Sequence, residues 1–135
     1  IQRQSGWQTI KLNNIEGKDN DISLNTNNHQ ITLNKGTYII NAYSMGYRGN
    51  TVRIKFESID YYPHISIHGT QTFTNSEYKT DSISMIFGES IEISYKMTFE
   101  LKLYMSNKGY HWFDDKTADK NGNAYAAMLS LQKVI

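Results

Sequence analysis

Apolar residues recur at every second position over much of this chain. From Ile91 to Met105 the odd positions Ile91, Ile93, Tyr95, Met97, Phe99, Leu101, Leu103 and Met105 are apolar, while Glu92, Ser94, Lys96, Thr98, Glu100 and Lys102 are polar. Successive side chains of a strand point to opposite faces, so this pattern predicts one long half-buried strand. Similar alternation in Val52-Arg53-Ile54-Lys55-Phe56-Glu57, in Ile83-Ser84-Met85-Ile86-Phe87 and, more briefly, in Ile31-Thr32-Leu33 predicts further strands. Turn chemistry separates them at Asn34-Lys35-Gly36, Gly49-Asn50, Asn75-Ser76, Gly88-Glu89 and Lys108-Gly109. Connections this short leave no room for crossover helices. The sheets are therefore predicted antiparallel, and the fold class an all-β, two-sheet sandwich or jelly roll.

Two segments break the rule of one apolar face. Within 37–47 one face carries Tyr38, Ile40, Ala42 and Ser44, and the other carries Ile39, Asn41, Tyr43, Met45 and Tyr47. Near the end, Tyr125, Ala127, Leu129 and Leu131 oppose Ala126, Met128 and Val134. A two-sheet sandwich covers only the inner face of each sheet. Either the outer face carries scattered exposed apolar groups, as many soluble surfaces do, or it is a subunit interface built from that sheet.

Length and composition then narrow the classes. The 135 residues fit a single domain spanning 1–135. The opening Ile1-Gln2-Arg3-Gln4, with no initiator methionine and no charged-then-apolar leader, reads as a fragment or processed product of a longer chain. Hydrophobic residues at 39% predict a folded chain. No apolar run approaches the roughly 18 to 20 residues of a membrane helix, so no membrane insertion is expected. Fourteen basic residues against 13 acidic ones leave a net charge of +1, which makes nucleic acid a poor partner. Cysteine is absent, which removes disulfides, thiolate catalysis and cysteine-ligated metals.

Little in the chain reads as reaction chemistry. His64 and His68 would share one face of a helix, but Pro63, Ile65 and Ile67 favour a strand, where four residues span roughly 13 Å, too far for one ion. His29 and His111 have no ligand-spaced partner. There is no G-x-S-x-G elbow, H-E-x-x-H, P-loop or G-x-G-x-x-G, and the adjacent Asp114 and Asp115 make no acid–base pair. The expectation is a protein that is no enzyme, with no cofactor and no metal. Asp119-Lys120-Asn121-Gly122-Asn123 offers alternating oxygen ligands but lacks the later glutamate of a calcium loop, so a solvated turn is expected there.

The stretch Tyr110-His111-Trp112-Phe113-Asp114-Asp115 has a different character. Its consecutive aromatics have no period and sit between a Lys108-Gly109 turn and a polar run. Aromatic faces stack on sugar C–H groups while neighbouring carboxylates bond hydroxyls, so one reading is a glycan platform. The other is that Trp112 and Phe113 plug one end of the barrel or pack on a neighbouring subunit. Tyr47, Arg48, Tyr61 and Tyr62 lie at other strand ends and could join the same surface.

The segment Asn28-His29-Gln30-Ile31-Thr32-Leu33-Asn34-Lys35-Gly36-Thr37-Tyr38-Ile39-Ile40-Asn41-Ala42 resembles the strand–turn–strand signature of the tumour-necrosis-factor-like jelly roll, shared with complement globular heads. It looks like the versions at the C-terminal tips of bacteriophage and other viral fibres. The terminal Ala124-Tyr125-Ala126-Ala127-Met128-Leu129-Ser130-Leu131-Gln132-Lys133-Val134-Ile135 is similar to that family's closing strand, and an N-terminal tryptophan such as Trp7 is also familiar there. The resemblance implies a homotrimer in which Ile39, Asn41 and Tyr43 face partner subunits, with Met45 and Met128 as further interface candidates. It also implies a non-enzymatic attachment head on a virion surface, or on an extracellular or cell-surface stalk, that binds a host cell-surface glycan or protein receptor. A purely structural trimerisation cap and a soluble cytokine-like ligand are the other functions it allows.

Overall fold

A computed structural model describes residues 6–47, 51–60, 63–73, 81–106, 110–111 and 127–135. Among them there is no helix. The strands are β1 (Gly6–Thr9), β2 (Ile22–Asn25), β3 (Gln30–Leu33), β4 (Gly36–Tyr47), β5 (Thr51–Ser58), β6 (Ser66–His68), β7 (Thr72–Phe73), β8 (Asp81–Ile93), β9 (Met97–Met105), β10 (Tyr110–His111) and β11 (Ala127–Lys133). All their pairings are antiparallel, in two sheets of seven and four strands among the described residues.

The larger sheet runs β2-β3-β9-β5-β6, with β1 beside β3 on one edge of β9 and β7 beside β6 on the outer edge of β5. In the smaller sheet β4 is central, with β8 on one side and β11 followed by β10 on the other. The pairings nest along the chain: β5 with β6, then β4 with β8, then β3 with β9. Such nesting folds one long antiparallel ribbon across both layers, so each step from β3 to β4 to β5, and from β8 to β9, crosses from sheet to sheet.

Alternation fills the space between the layers. Val52, Ile54 and Phe56 from β5 and Met97, Phe99, Leu101, Leu103 and Met105 from β9 meet Tyr38, Ile40 and Ala42 from β4 and Ile86, Ile91 and Ile93 from β8, all of them buried. The Phe56 and Phe99 rings stack at 4.7 Å between centroids. Burial pushes the Tyr38 phenol up, and its hydroxyl donates to the Asn34 carbonyl at 2.7 Å. Beside it Lys133 Nζ meets Asp21 Oδ2 at 3.0 Å, tying β11 to the segment before β2.

The structure corrects three sequence expectations. The run Ile91–Met105 is not one strand: Ile91–Ile93 closes β8 in the smaller sheet, Ser94–Lys96 turns, and Met97–Met105 forms β9 in the larger one. Its parity survives the break because both arms direct their odd residues into the same core, and Tyr95 alone is turned out. Gly88-Glu89 is not a turn between strands but part of β8, where Gly88 takes φ 63° and the register against β4 shifts between Ile40 and Ala42. The Gly88 N–H donates to Asn41 Oδ1 at 2.8 Å, which anchors this bulge. Finally, the apolar side of Ile83-Ser84-Met85-Ile86-Phe87 faces outward: Ser82, Ser84 and Ile86 are buried, while Ile83, Met85 and Phe87 are exposed. The expected turns at Gly49-Asn50, Asn75-Ser76 and Lys108-Gly109 lie outside the described residues.

Buried Ser84 is satisfied by the other layer. Ile54 N–H donates to Ser84 Oγ at 2.9 Å, and Ser84 Oγ donates to the Thr70 carbonyl at 2.5 Å. Gly69 N–H reaches Ile54 O at 2.8 Å and Thr70 N–H reaches Met85 O at 2.8 Å. The Gly69-Thr70 segment thus hydrogen-bonds both β5 and β8 and closes one edge of the sandwich. A Cβ on Gly69 would lie 2.7 Å from Ile54 Cγ1 and 2.8 Å from Met85 O. Backbone cannot give way cheaply at that distance, so Gly69→Ala is expected to destabilise the domain by about 1 to 3 kcal/mol, read as a lowered denaturant midpoint with an unchanged slope.

Candidate functional site

The outer face of the smaller sheet is built by register. Met128 on β11 pairs with Tyr43 on β4, and Tyr43 with Met85 on β8, so one apolar row crosses the sheet. Met45 pairs with Ile83 in the next row. On this face Phe87 is 81% exposed, Met85 45%, Ile83 43% and Met128 41%. Ile39, Asn41, Tyr43 and Met45 are half-buried. All five residues expected at a subunit interface, Ile39, Asn41, Tyr43, Met45 and Met128, therefore lie on one face. β11 adds only Met128 to its apolar part, since Ser130 and Gln132 are its other outward residues there.

Ile83, Met85 and Phe87 were missed as members of this face. Their period-two pattern reads equally well as core, and only the Gly88 bulge reverses it. Because the bulge shifts the phase of β8, Ile91 and Ile93 point inward while Ile83, Met85 and Phe87 before it point outward.

Of the expected ligand-binding residues, backbone pairing brings two together. Tyr110 lies opposite Tyr47, and Tyr47 opposite Asp81, at the end of the smaller sheet beyond the row of Met45 and Ile83. His111 pairs with Gly46. Arg48, Tyr61, Tyr62, Trp112, Phe113, Asp114 and Asp115 lie outside the described residues, as does Asp119-Lys120-Asn121-Gly122-Asn123.

The histidines go to separate partners. His64 Nε2 is 3.1 Å from Glu57 Oε1, whereas His68 Nε2 is 3.2 Å from Ser66 Oγ. His29 Nδ1 lies 2.9 Å from the Leu12 carbonyl, on a residue with φ 61°.

The outer face of the larger sheet is polar and charged. Glu57 Oε2 is 3.2 Å from Lys55 Nζ and 3.1 Å from Lys102 Nζ. Burial pushes the Glu57 carboxyl up, but the hydrogen bonds from Lys102 and Lys55 outweigh it and hold the group below its ordinary value. A carboxyl lowered in the folded state contributes stability that is full above its unfolded pKa and is lost as pH falls through the folded one. Glu57→Gln is therefore expected to cost about 2 kcal/mol at neutral pH, by leaving Lys55 and Lys102 facing each other. It should also flatten the loss of stability below about pH 4.5, as measured by urea melts across that range.

At the other end of this face Trp7, Tyr104 and Arg53 form a row across β1, β9 and β5. The Trp7 ring centroid is 5.3 Å from that of Tyr104 and 5.9 Å from that of His68, and Lys55 Nζ sits 4.2 Å from the indole centroid. Burial, together with the neighbouring Arg53 and Lys55, pushes the His68 imidazole down from its ordinary value. Trp7 stood out in the sequence only as a familiar N-terminal residue. Its neighbours come from three other strands, so no local spacing announces the group. A search of the chain against protein-family models and against curated proteins finds no match.

Proposed function

We propose that this chain is the trimeric head of an attachment protein, a non-enzymatic jelly roll at the tip of a viral or phage fibre or of a bacterial surface stalk, which binds a host glycan or protein. The observation that carries this reading is the outward apolar row Met128–Tyr43–Met85 with Ile83, Met45 and Phe87 beside it. An apolar sheet face of this extent costs a monomer solubility and is normally covered. A second and third copy of the same chain supply the cover at no further genetic expense, and closed symmetry limits the assembly.

Three features support the jelly-roll form of the sandwich and the trimer built from it. The nested pairing wraps a single ribbon over both layers, as a jelly roll does. Strands β4 and β11, which carry the two resembling segments, are hydrogen-bonded neighbours over seven residue pairs. Their shared outer face holds the residues that the resemblance assigns to partner contacts. Three copies also multiply weak contacts with a host surface, which suits attachment through many low-affinity sites.

Sedimentation equilibrium at micromolar concentration tests the assembly. A species of three times 15.6 kDa is expected. A monomer across the whole range removes the trimer, and with it the multivalent head.

A further inference from the structure

The larger sheet presents a second surface, whose chemistry differs from that of the apolar face. Trp7 is 38% exposed, with Lys55 over its ring and Tyr104 and His68 flanking it. Lys55 itself is only 14% exposed, so the accessible part of this group belongs largely to the indole. Arg53 closes the row on β5. Its Nε donates to the Gly69 carbonyl at 3.2 Å, and it has no carboxylate partner among the described residues. The lysines nearby are matched: Lys55 and Lys102 share Glu57, and Lys102 also approaches Glu100. A guanidinium with no carboxylate partner among the described residues thus ends the row that begins at the exposed Trp7, with Tyr104 between them.

We propose that Trp7, Tyr104, Arg53 and Lys55 form a binding site for acidic saccharides, in which a sugar ring stacks on the indole and its carboxylate pairs with the Arg53 guanidinium. Stacking uses the apolar C–H face of the ring, and a planar guanidinium pairs bidentately with a carboxylate. The Arg53 charge favours an anion over a neutral sugar, since Lys55 is already neutralised by Glu57. Nucleic acid and an anionic membrane fit this surface poorly, because each is held by several uncompensated cations and only one stands here among the described residues. The site extends the attachment reading by naming a ligand class, and rests on it only for the expectation that a saccharide is bound. It does not need the trimer.

Fluorescence of single-tryptophan variants tests the site, since the chain has two tryptophans, Trp7 and Trp112. Trp112→Phe, which leaves Trp7 as reporter, is titrated with sialyllactose, with trigalacturonate and with neutral lactose, each sample also being sedimented. Saturable quenching by an acidic sugar in the micromolar to millimolar range is expected, with lactose at least about tenfold weaker. Arg53→Gln in that background should weaken binding about tenfold or more, and Arg53→Lys should recover part of the loss. Both substitutions remove the bond to Gly69, so the gap between them reads the charge rather than the fold. The proposal is overturned by no saturable acidic-sugar binding, by equal binding of lactose, or by quenching seen only in Trp7→Phe, where Trp112 is the reporter. A trimer that binds no acidic sugar sinks this site and leaves the trimeric head standing. A monomer that binds one supports the site and sinks the trimer.

Discussion

Replacing Tyr43 by aspartate is expected to convert the proposed trimer to a folded monomer. Tyr43 sits at the centre of the outer row, flanked through the backbone ladder by Met128 and Met85. In a three-fold assembly on this face the substitution brings three carboxylates into one apolar contact. Desolvating an unpaired charge costs several kcal/mol, and the three also repel one another. Within one subunit the same side chain points away from the core, so the sandwich loses little. Met85→Asp gives an independent reading, since Met85 is 45% exposed in the single chain and its removal leaves no cavity between the sheets. Met85→Leu, which keeps the volume and the apolar character, should remain trimeric. Sedimentation equilibrium reads the mass and far-UV circular dichroism the fold. Both aspartate variants sedimenting with the mass of the unaltered protein would show that this face is not the subunit interface.

The outward row was half legible before the structure. Tyr43, Met45 and Ile39 stood out because Tyr38, Ile40 and Ala42 already claimed the core side of β4, and a sandwich has no second core to offer. Ile83, Met85 and Phe87 did not stand out, because nothing local says that Ser82 and Ser84 go inside. A serine is buried at little cost only when it has partners, and those of Ser84 are the Ile54 amide and the Thr70 carbonyl, 30 and 14 residues away. The break at Ser94–Lys96 was hidden for a related reason. Period two reports which side chains face a core, but not which of two sheets sharing that core contributes them. Val52, Ile54 and Phe56, by contrast, were read correctly, since β5 lies wholly in one sheet and its polar neighbours Arg53, Lys55 and Glu57 all face out. The pairing of Tyr47 with Tyr110 and the grouping around Trp7 depend on register between distant strands. Composition and spacing carry no information on either.

Truncating Phe56 to alanine is expected to cost about 3 to 5 kcal/mol, the largest loss of stability from any single change considered for this chain. Phe56 is fully buried on β5, paired through the backbone with Leu101 on β9 and Ile67 on β6. Its ring stacks on Phe99 with the planes only 8° apart. The cavity would open inside the larger sheet's inner face, where the flanking side chains are held by ladders on both edges of β5 and cannot collapse into it. Domains of this size are stable by about 5 to 15 kcal/mol, so the loss removes roughly a fifth or more of that margin. A fall in melting temperature of roughly 10 to 20 °C should follow. Phe56→Leu, which restores most of the volume, should recover the greater part. The effect should also be separable from assembly, because association adds a concentration-dependent stability that a core truncation does not touch. Melting temperatures of the alanine variant should therefore rise with protein concentration as steeply as those of the unaltered chain, from a lower baseline. A variant melting within a degree or two of the parent would mean that Phe56 and Phe99 do not pack as described, and the account of the core would fail with them.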